Sequence, residues 1–410
     1  MLDSSGYYAL GIPAYVALLG VERWLCRRRG LECSGLARSL GNLSAGLGAI
    51  TFGLFLAPVL IGLYWFGYEH LALVRWPEGS PIPWLLALFG GDLCYYLNHR
   101  AGHRVAALWA IHGVHHQCDR FDYTVAMRHP WLSDTYAALF YVPMPLLGVP
   151  PLHFFLTISL ISFYAFFVHT RSYDFPGFGV LVTPRTHIVH HCRNPRYLGR
   201  NLGAMFSLWD RLLGTHAELV PEDPPDLGPP DGYRSHDGAR SQWLYFGDLV
   251  RAARQAPAWR DQLRLLFGRP GWRPAGVARP APPPARPEGE VPGPTRRYVG
   301  GQFAAIAAVA VYLLWLRDAH PLAVQVAASL AIFGCLVTVG GLLDGRPTAW
   351  RDERLRLLGL VGIAAALLAL APDHAPLAGA LLALALAGLA WGAAARLSDA
   401  PAPAPPDASP

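Results

Sequence analysis

The chain of 410 residues reads as an all-α, polytopic membrane protein: a helical bundle with a histidine-rich metal site at one membrane face. Three observations predict this. Hydrophobic residues make up 53% and charged residues only 15%, against about a quarter charged in soluble domains, and mean hydropathy is +0.26. Apolar runs approaching the roughly 20 residues that cross a bilayer recur along the chain. Nine histidines recur at helical spacing: His99 and His103; His112, His115 and His116; His169; and His187, His190 and His191. Positions i, i+3 and i+4 share one helix face, so each group aims its imidazoles in one direction. Three such faces can converge on one metal centre.

The apolar runs cover 7–22, 43–68, 83–98, 133–148 with 151–169 as a hairpin, 299–316, 321–343, 357–371 and 375–394. The first lacks the flanks of a cleaved signal peptide and reads as a retained span. The runs at 83–98 and 133–169 read as helices that only partly enter the membrane. Arginine supplies all the Lys+Arg total, and the net charge is +6. Arg23, Arg27, Arg28, Arg29 and Arg38 follow the first run, Arg100 and Arg104 the third, and Arg346, Arg351, Arg354 and Arg356 lie in a later loop. The positive-inside rule makes these loops cytoplasmic and the histidine site cytoplasm-facing. The arginines read as topology signals and headgroup contacts, not as a nucleic-acid patch. The Arg-only, Ala-, Gly- and Pro-rich composition points to a GC-rich bacterial genome and an inner-membrane location.

The expected organisation is a membrane-embedded catalytic domain (1–216), a cytoplasmic interfacial segment covering the site (217–278), a Pro-rich linker (279–297), a C-terminal four-helix membrane bundle (298–396) and a disordered tail (397–410). Trp243 to Phe267 interleaves Arg with Trp, Leu and Phe and predicts an interfacial amphipathic helix. The C-terminal bundle has no histidine cluster and few ionisable groups, and reads as an anchor or dimerisation bundle. The six cysteines show no CxxC and no disulfide pattern. Cys118 and Cys192 follow His-His pairs, and read as packing residues ahead of thiolate ligands.

Imidazole suits Fe, Zn, Cu and Ni. Eight or nine histidines exceed one tetrahedral ion, so two ions are the economical number. The absence of a Glu-x-x-His pair separates the pattern from soluble carboxylate-rich bundles. Bound imidazoles must be neutral, so affinity should fall on acidification. Asp92, two turns before His99, is expected to orient a ligand imidazole or to cap a buried Arg. Asn194 and Asn201 are expected to bond ligands or shape the turn, and Asp210 with Arg211 to form an ion pair. His129 and His153 read as structural; His70, His216, His236, His320 and His374 read as exposed or interfacial.

The segment from Asp92 to Thr215 resembles the membrane fatty acid hydroxylase and sterol desaturase superfamily, whose motifs run HxxxH, HxxHH, HxxHH. The stretches DLCYYLNHRAGH, TPRTHIVHHCRNPRYLGRNLG and SLWDRLLGT carry the likeness. Within it, the chain is similar to alkylglycerol monooxygenase-type proteins, through FFVHTRS around His169, FGRPGWRP at 267–274 and the extra C-terminal spans. The resemblance implies two iron ions on His99, His103, His112, His115, His116, His187, His190 and His191. His169 is a ninth ligand or a hydrogen-bonding neighbour. It also implies dioxygen-dependent hydroxylation of an aliphatic or ether-adjacent carbon of a lipid drawn from the bilayer. No flavin, haem or nicotinamide motif is visible, so the electrons come from an external donor, a tetrahydropterin or a redox protein. A lipid or sterol desaturase would use the same centre, and a metal-binding membrane transporter or sensor is the reading from another class.

Overall fold

The computed structural model describes residues 4–279, 281, 282 and 286–399. Among the described residues every regular element is helical, and the only extended pairings are the isolated bridges Leu181–Phe206 and Cys192–Leu227. The principal helices are α1 (Ser4–Arg28), α2 (Leu36–Leu71), α3 (Gly91–Arg104), α4 (Ala106–His112), α5 (Ser133–Tyr141), α6 (Pro151–Phe167) and α7 (Pro184–His190). They continue as α8 (Leu244–Gln255), α9 (Trp259–Phe267), α10 (Gly293–Trp315), α11 (Leu322–Leu343), α12 (Ala349–Leu370) and α13 (Ala375–Asp399).

Among the described residues four helices are long and apolar enough to cross a membrane: Leu36–Leu71, Gly293–Trp315, Leu322–Leu343 and Pro372–Arg396. Two of the other apolar runs are shorter or broken. Residues 82–104 pass from one helical turn through a π-turn at Leu86–Gly90 into α3. Pro143 separates α5 from a single turn, Pro143–Leu146. The 17 residues of α6 extend only about 26 Å at the helical rise, short of the hydrocarbon thickness of roughly 30 Å.

The chain divides into two compact units, one of Pro13–Ser34 with Asn42–Ala285, the other mainly of the residues from Arg286 onward. In the first unit α3 is central and packs against α4, α5 and α6. Its first turn is anchored by Asp92. That buried carboxylate accepts bonds from Met205 N (3.0 Å), Phe206 N (3.2 Å) and Trp209 Nε1 (2.9 Å). Asp92 therefore neither orients a histidine nor caps an arginine; three donors of the 205–209 segment occupy it. Two apolar clusters continue the packing, one around Tyr64, Ala87, Met144 and Phe154, the other around Ile161, Met205 and Phe206. Close backbone approach explains two glycines of α2. A Cβ at Gly46 would lie 2.5 Å from Met127 O, and one at Gly48 would lie 2.4 Å from the Trp131 ring.

Two long-range polar residues fasten this unit. Glu22, buried on α1, accepts from Tyr123 N (2.7 Å) and Thr170 Oγ1 (2.5 Å). Arg128 is 2% exposed. Its Nε donates to Val114 O (2.8 Å), Nη1 to Asn42 Oδ1 (3.1 Å), and Nη2 to Gln117 Oε1 (2.8 Å) and Ser235 O (3.1 Å). Cys26 and Cys33 form a disulfide across the turn after α1, although the sequence offers no pairing motif; the reversal of the chain brings them together.

The single amphipathic helix expected over 243–267 is two helices. Pro257 drives Ala256 into an extended conformation (ψ 131°) and ends α8. Tyr245 and Leu249 of α8 pack with Trp109 and Ala110 of α4, Tyr233 completing the cluster.

In the second unit α10 to α13 pack into a bundle. Its centre is more polar than the sequence suggested. Glu353 and Arg356 form a buried ion pair (2.5 Å). Glu353 also accepts from Tyr298 OH (2.5 Å) and Thr338 Oγ1 (2.5 Å), while Arg356 Nη2 donates to Gln302 Oε1 (2.8 Å). His320, expected at the surface, is buried with its Nδ1 2.9 Å from His374 Nδ1; His236 of the first unit is buried as well. α13 runs to Asp399, and the rest of the tail expected over 397–410 lies outside the described residues.

Replacing Arg128 by Met strips four acceptors of their charged donor. Each such loss costs about 1–3 kcal/mol. The Arg128→Met variant is expected to melt well below the parent in detergent, with a loss of roughly 3 kcal/mol or more. An unchanged melting temperature would contradict the fastening role.

Candidate metal centre

The site begins with a helix reversal. α3 ends at Arg104, Val105 is extended (φ −112°, ψ 122°), and α4 runs back, with Ala106 N donating to Gly268 O at 2.9 Å. Gly102 makes the close pairing possible: a Cβ there would stand 3.3 Å from His112 Cβ. His99 and His103 of α3 thus face His112 of α4, with ring centroids 4.6 Å and 4.8 Å from it. The third helix, α7, is short but well started. Thr183 Oγ1 accepts from Thr186 N (3.2 Å), Thr186 Oγ1 accepts from Thr183 N (2.8 Å), and Pro184 opens the helix.

All nine predicted histidines come together, but not as three single faces. They form two groups: His99, His103, His112, His116 and His190; and His115, His169, His187 and His191. Within each group one nitrogen per ring lies within 4.8 Å of all the others. Each HxxHH motif sends its first and last histidines to one group and its middle histidine to the other. Both motifs sit at a helix end. α4 stops at His112, and His115 N and His116 N donate to His112 O and Gly113 O, three residues back. α7 stops at His190, and His191 N donates to Ile188 O.

Backbone carbonyls fix the protons. His99 Nδ1 lies 2.8 Å from Leu202 O, His190 Nδ1 3.0 Å from Arg200 O, His115 Nδ1 3.2 Å from Arg128 O, and His169 Nδ1 2.7 Å from Ala165 O. A carbonyl only accepts, so these Nδ1 atoms carry the hydrogen and each neutral ring's Nε2 presents a lone pair. His115 Nε2 and His169 Nε2 then face each other at 3.1 Å, lone pair against lone pair. His112 Nε2 stands 3.0 Å from both His99 Nε2 and His116 Nε2, and His187 Nε2 3.0 Å from His169 Nε2. Nε2 of His103, His190 and His191 is buried without a hydrogen-bond partner. Repelling and orphaned lone pairs of this kind are relieved by cations, and a carbonyl-bound Nδ1–H is the usual outer partner of a metal-ligating imidazole. The residues present therefore fit two metal ions.

Burial, and secondarily the neighbouring imidazoles, hold His103, His112, His116, His187, His190 and His191 well below the usual imidazole range. Burial lowers His99 to about 4. The rings are thus neutral, the form that binds metal. Trp109 walls the first group, 5.2 Å from the His103 ring and 5.4 Å from His116. Phe121 walls the second, 5.2 Å from the His191 ring.

The other singled-out residues serve the scaffold. Asn201, in a left-handed conformation (φ 51°), donates to Thr186 O and Ala217 O, both at 2.8 Å, and so shapes the loop that presents Leu202 O. Asn194 bonds Asp223 (2.5 Å) and Pro224 O (3.0 Å). Asp210 is not held by Arg211. Its carboxylate accepts from Leu202 N (2.8 Å), Gly203 N (2.8 Å) and Thr215 Oγ1 (2.6 Å), donors nearer than any outward-pointing guanidinium. His129 lies apart at 2.9 Å from Ser133 Oγ, and Cys192 Sγ is turned to Ile188 O (3.2 Å). Glu22 escaped the sequence reading. It secures Thr170, next to His169, from 148 residues away, and no local motif signals such a contact.

Residues 84–215 match the family model described as fatty acid hydroxylase. The alkylglycerol monooxygenase of Xenopus tropicalis is 28% identical over 331 residues, covering 78% of this chain and 73% of that protein. That of Homo sapiens is 26% identical over 368 residues, covering 86% and 81%. The ornithine lipid hydroxylase OlsE of Rhizobium tropici is 28% identical over 159 residues, covering 37% and 48%. No solved structure matches. The segment that gathers the histidines therefore matches a fatty acid hydroxylase domain, in a chain similar to alkylglycerol monooxygenases over most of its length.

Proposed function

We propose that this protein is a membrane di-iron monooxygenase that hydroxylates an aliphatic or ether-adjacent carbon of a lipid. The observation that carries the reading is the facing of nine imidazoles in two groups, four of them with Nδ1–H on a backbone carbonyl and the Nε2 lone pair turned inward. One ion would sit among His99, His103, His112, His116 and His190, the other among His115, His169, His187 and His191. Iron held there supplies dioxygen activation, with electrons from an external donor such as a tetrahydropterin or a redox protein. The chain's own part is to fix the imidazole tautomers, to keep the rings neutral by burial, and to exclude water with Trp109 and Phe121. The names of the relatives, monooxygenases and lipid hydroxylases, support this class of reaction.

Purified protein is expected to contain two irons per chain and to place oxygen from labelled dioxygen in a lipid hydroxyl group. His103→Ala and His187→Ala should each lower the metal content towards one iron per chain, from different groups, and abolish hydroxylation. Either variant retaining two irons and full turnover would refute the ligand sets. Unsaturated lipid without incorporated oxygen would identify a desaturase instead, and exchangeable zinc without oxygen consumption a transporter or sensor.

The depressed histidines set a pH dependence. A group whose folded pKa is lowered adds stability above its unfolded pKa, about 6.5 for His, and that stability is lost as pH falls towards the folded value. Metal-free protein should therefore melt at progressively lower temperature below about pH 6.5. A flat melting profile over that range would show the rings to be hydrated rather than buried.

We place the histidine site on the cytoplasmic side of the membrane, on the arginine distribution. A reporter fused after residue 216 should be active in the cytoplasm; activity outside it would reverse the orientation.

A further inference from the structure

Beside the second histidine group lies a pocket of about 280 Å³ lined by Arg120, Arg171, Arg193 and Arg234, with Asp119 and Asp226. Four guanidiniums face two lining carboxylates, and with Glu32 paired to Arg120 one positive charge is left in excess. Arg234 Nη1 pairs with Asp119 at 2.9 Å and Arg193 Nε with Asp226 at 2.8 Å, so each has donors to spare on its fork. Arg120 Nη1 reaches Glu32 at 2.8 Å. Arg171 is exposed and has no carboxylate partner among the described residues.

The position is as telling as the charge. Arg171 follows His169 by two residues, and Arg193 follows His191 by two. Arg120 precedes Phe121, whose ring stands 5.7, 6.0 and 5.2 Å from His169, His187 and His191. Three of the lining arginines are thus within two residues of His169, His191 or the ring that packs on them. Arg120 also joins Arg23 and Arg27 around a neighbouring recess at the end of α1. Trp24 of that helix is exposed with Arg28 stacked on it at 4.3 Å, a pairing suited to the headgroup level of a bilayer.

We propose that this pocket binds a phosphate group. Guanidinium forks match phosphate oxygens in pairs and stay charged at all working pH values. A recess with four guanidiniums and an excess of positive charge suits a phosphate group. Such a group could arrive on a lipid or on a soluble ester. If a lipid brings it, the proposed hydroxylation acts on a phosphate-bearing lipid held by its headgroup. The binding itself needs only the arginines, so it stands or falls apart from the hydroxylation reading.

The test uses the purified full chain in an uncharged detergent, titrated with phosphatidic acid or inorganic phosphate and followed by its melting temperature, which rises with ligand occupancy. Phosphatidic acid is expected to bind, and Arg171→Ala and Arg193→Ala each to weaken it about tenfold, the effect of one lost charge-assisted hydrogen bond. Arg351→Ala, in the other unit, should leave the affinity unchanged. Arg171 has no partner to lose, so its variant keeps the fold. Much tighter binding of phosphatidic acid than of phosphate assigns the site to a lipid; equal affinity assigns it to a soluble phosphate ester. No binding of either, or binding indifferent to both variants, overturns the proposal.

Discussion

Holding nine neutral imidazoles with their lone pairs pointed at one another is the constraint to which the histidine unit is built. Each ring loses water on burial, and a facing pair such as His115 and His169 adds repulsion. Left alone, such rings would turn away or take up protons. The chain prevents this by giving four of them a carbonyl for the Nδ1–H, from Leu202, Arg200, Arg128 and Ala165. Those carbonyls must themselves be immobile. Asn201 and Asp210 set the 200–203 loop, and Arg128 is clamped between α2 and the 114–117 turn. Much of the unit's buried polar bonding is thus scaffolding for acceptors that hold histidines.

The second requirement is that the helices be short. In one continuous helix, His112, His115 and His116 would share a face and serve one centre. Here α4 and α7 end inside their motifs, and each motif is divided between two groups. Helices of seven residues are not stable by themselves. α4 is kept in place by Tyr245 and Leu249 of α8, and α7 by its capping pair of threonines. The amphipathic segment after residue 243 therefore belongs to the support of the site, through α4.

The bundle of α10 to α13 follows other rules. Its helices approach closely at small residues: a Cβ at Gly301 would meet the Trp391 ring at 2.4 Å, and one at Gly388 would meet Leu357 at 2.6 Å. Its buried Glu353–Arg356 pair is bonded by Tyr298, Thr338 and Gln302. A buried pair of this kind favours one packing arrangement over others more than it adds stability.

The sequence by itself determined the helical class, the hydrophobic stretches and the identity of the nine histidines. These are local properties: hydropathy and residue spacing depend only on neighbours in the chain. It also carried the family likeness, because the motifs are short and contiguous. Only the tertiary structure decided how the histidines divide, since which rings face one another depends on how α3, α4, α6 and α7 pack and not on spacing along the chain. The same holds for Asp92, Asp210, Glu22 and Arg128, whose partners stand up to 148 residues away. The disulfide of Cys26 with Cys33 and the buried Glu353–Arg356 pair were likewise invisible in advance. A side chain's chemistry is written in the sequence, but the partner that completes it is chosen by the path of the folded chain.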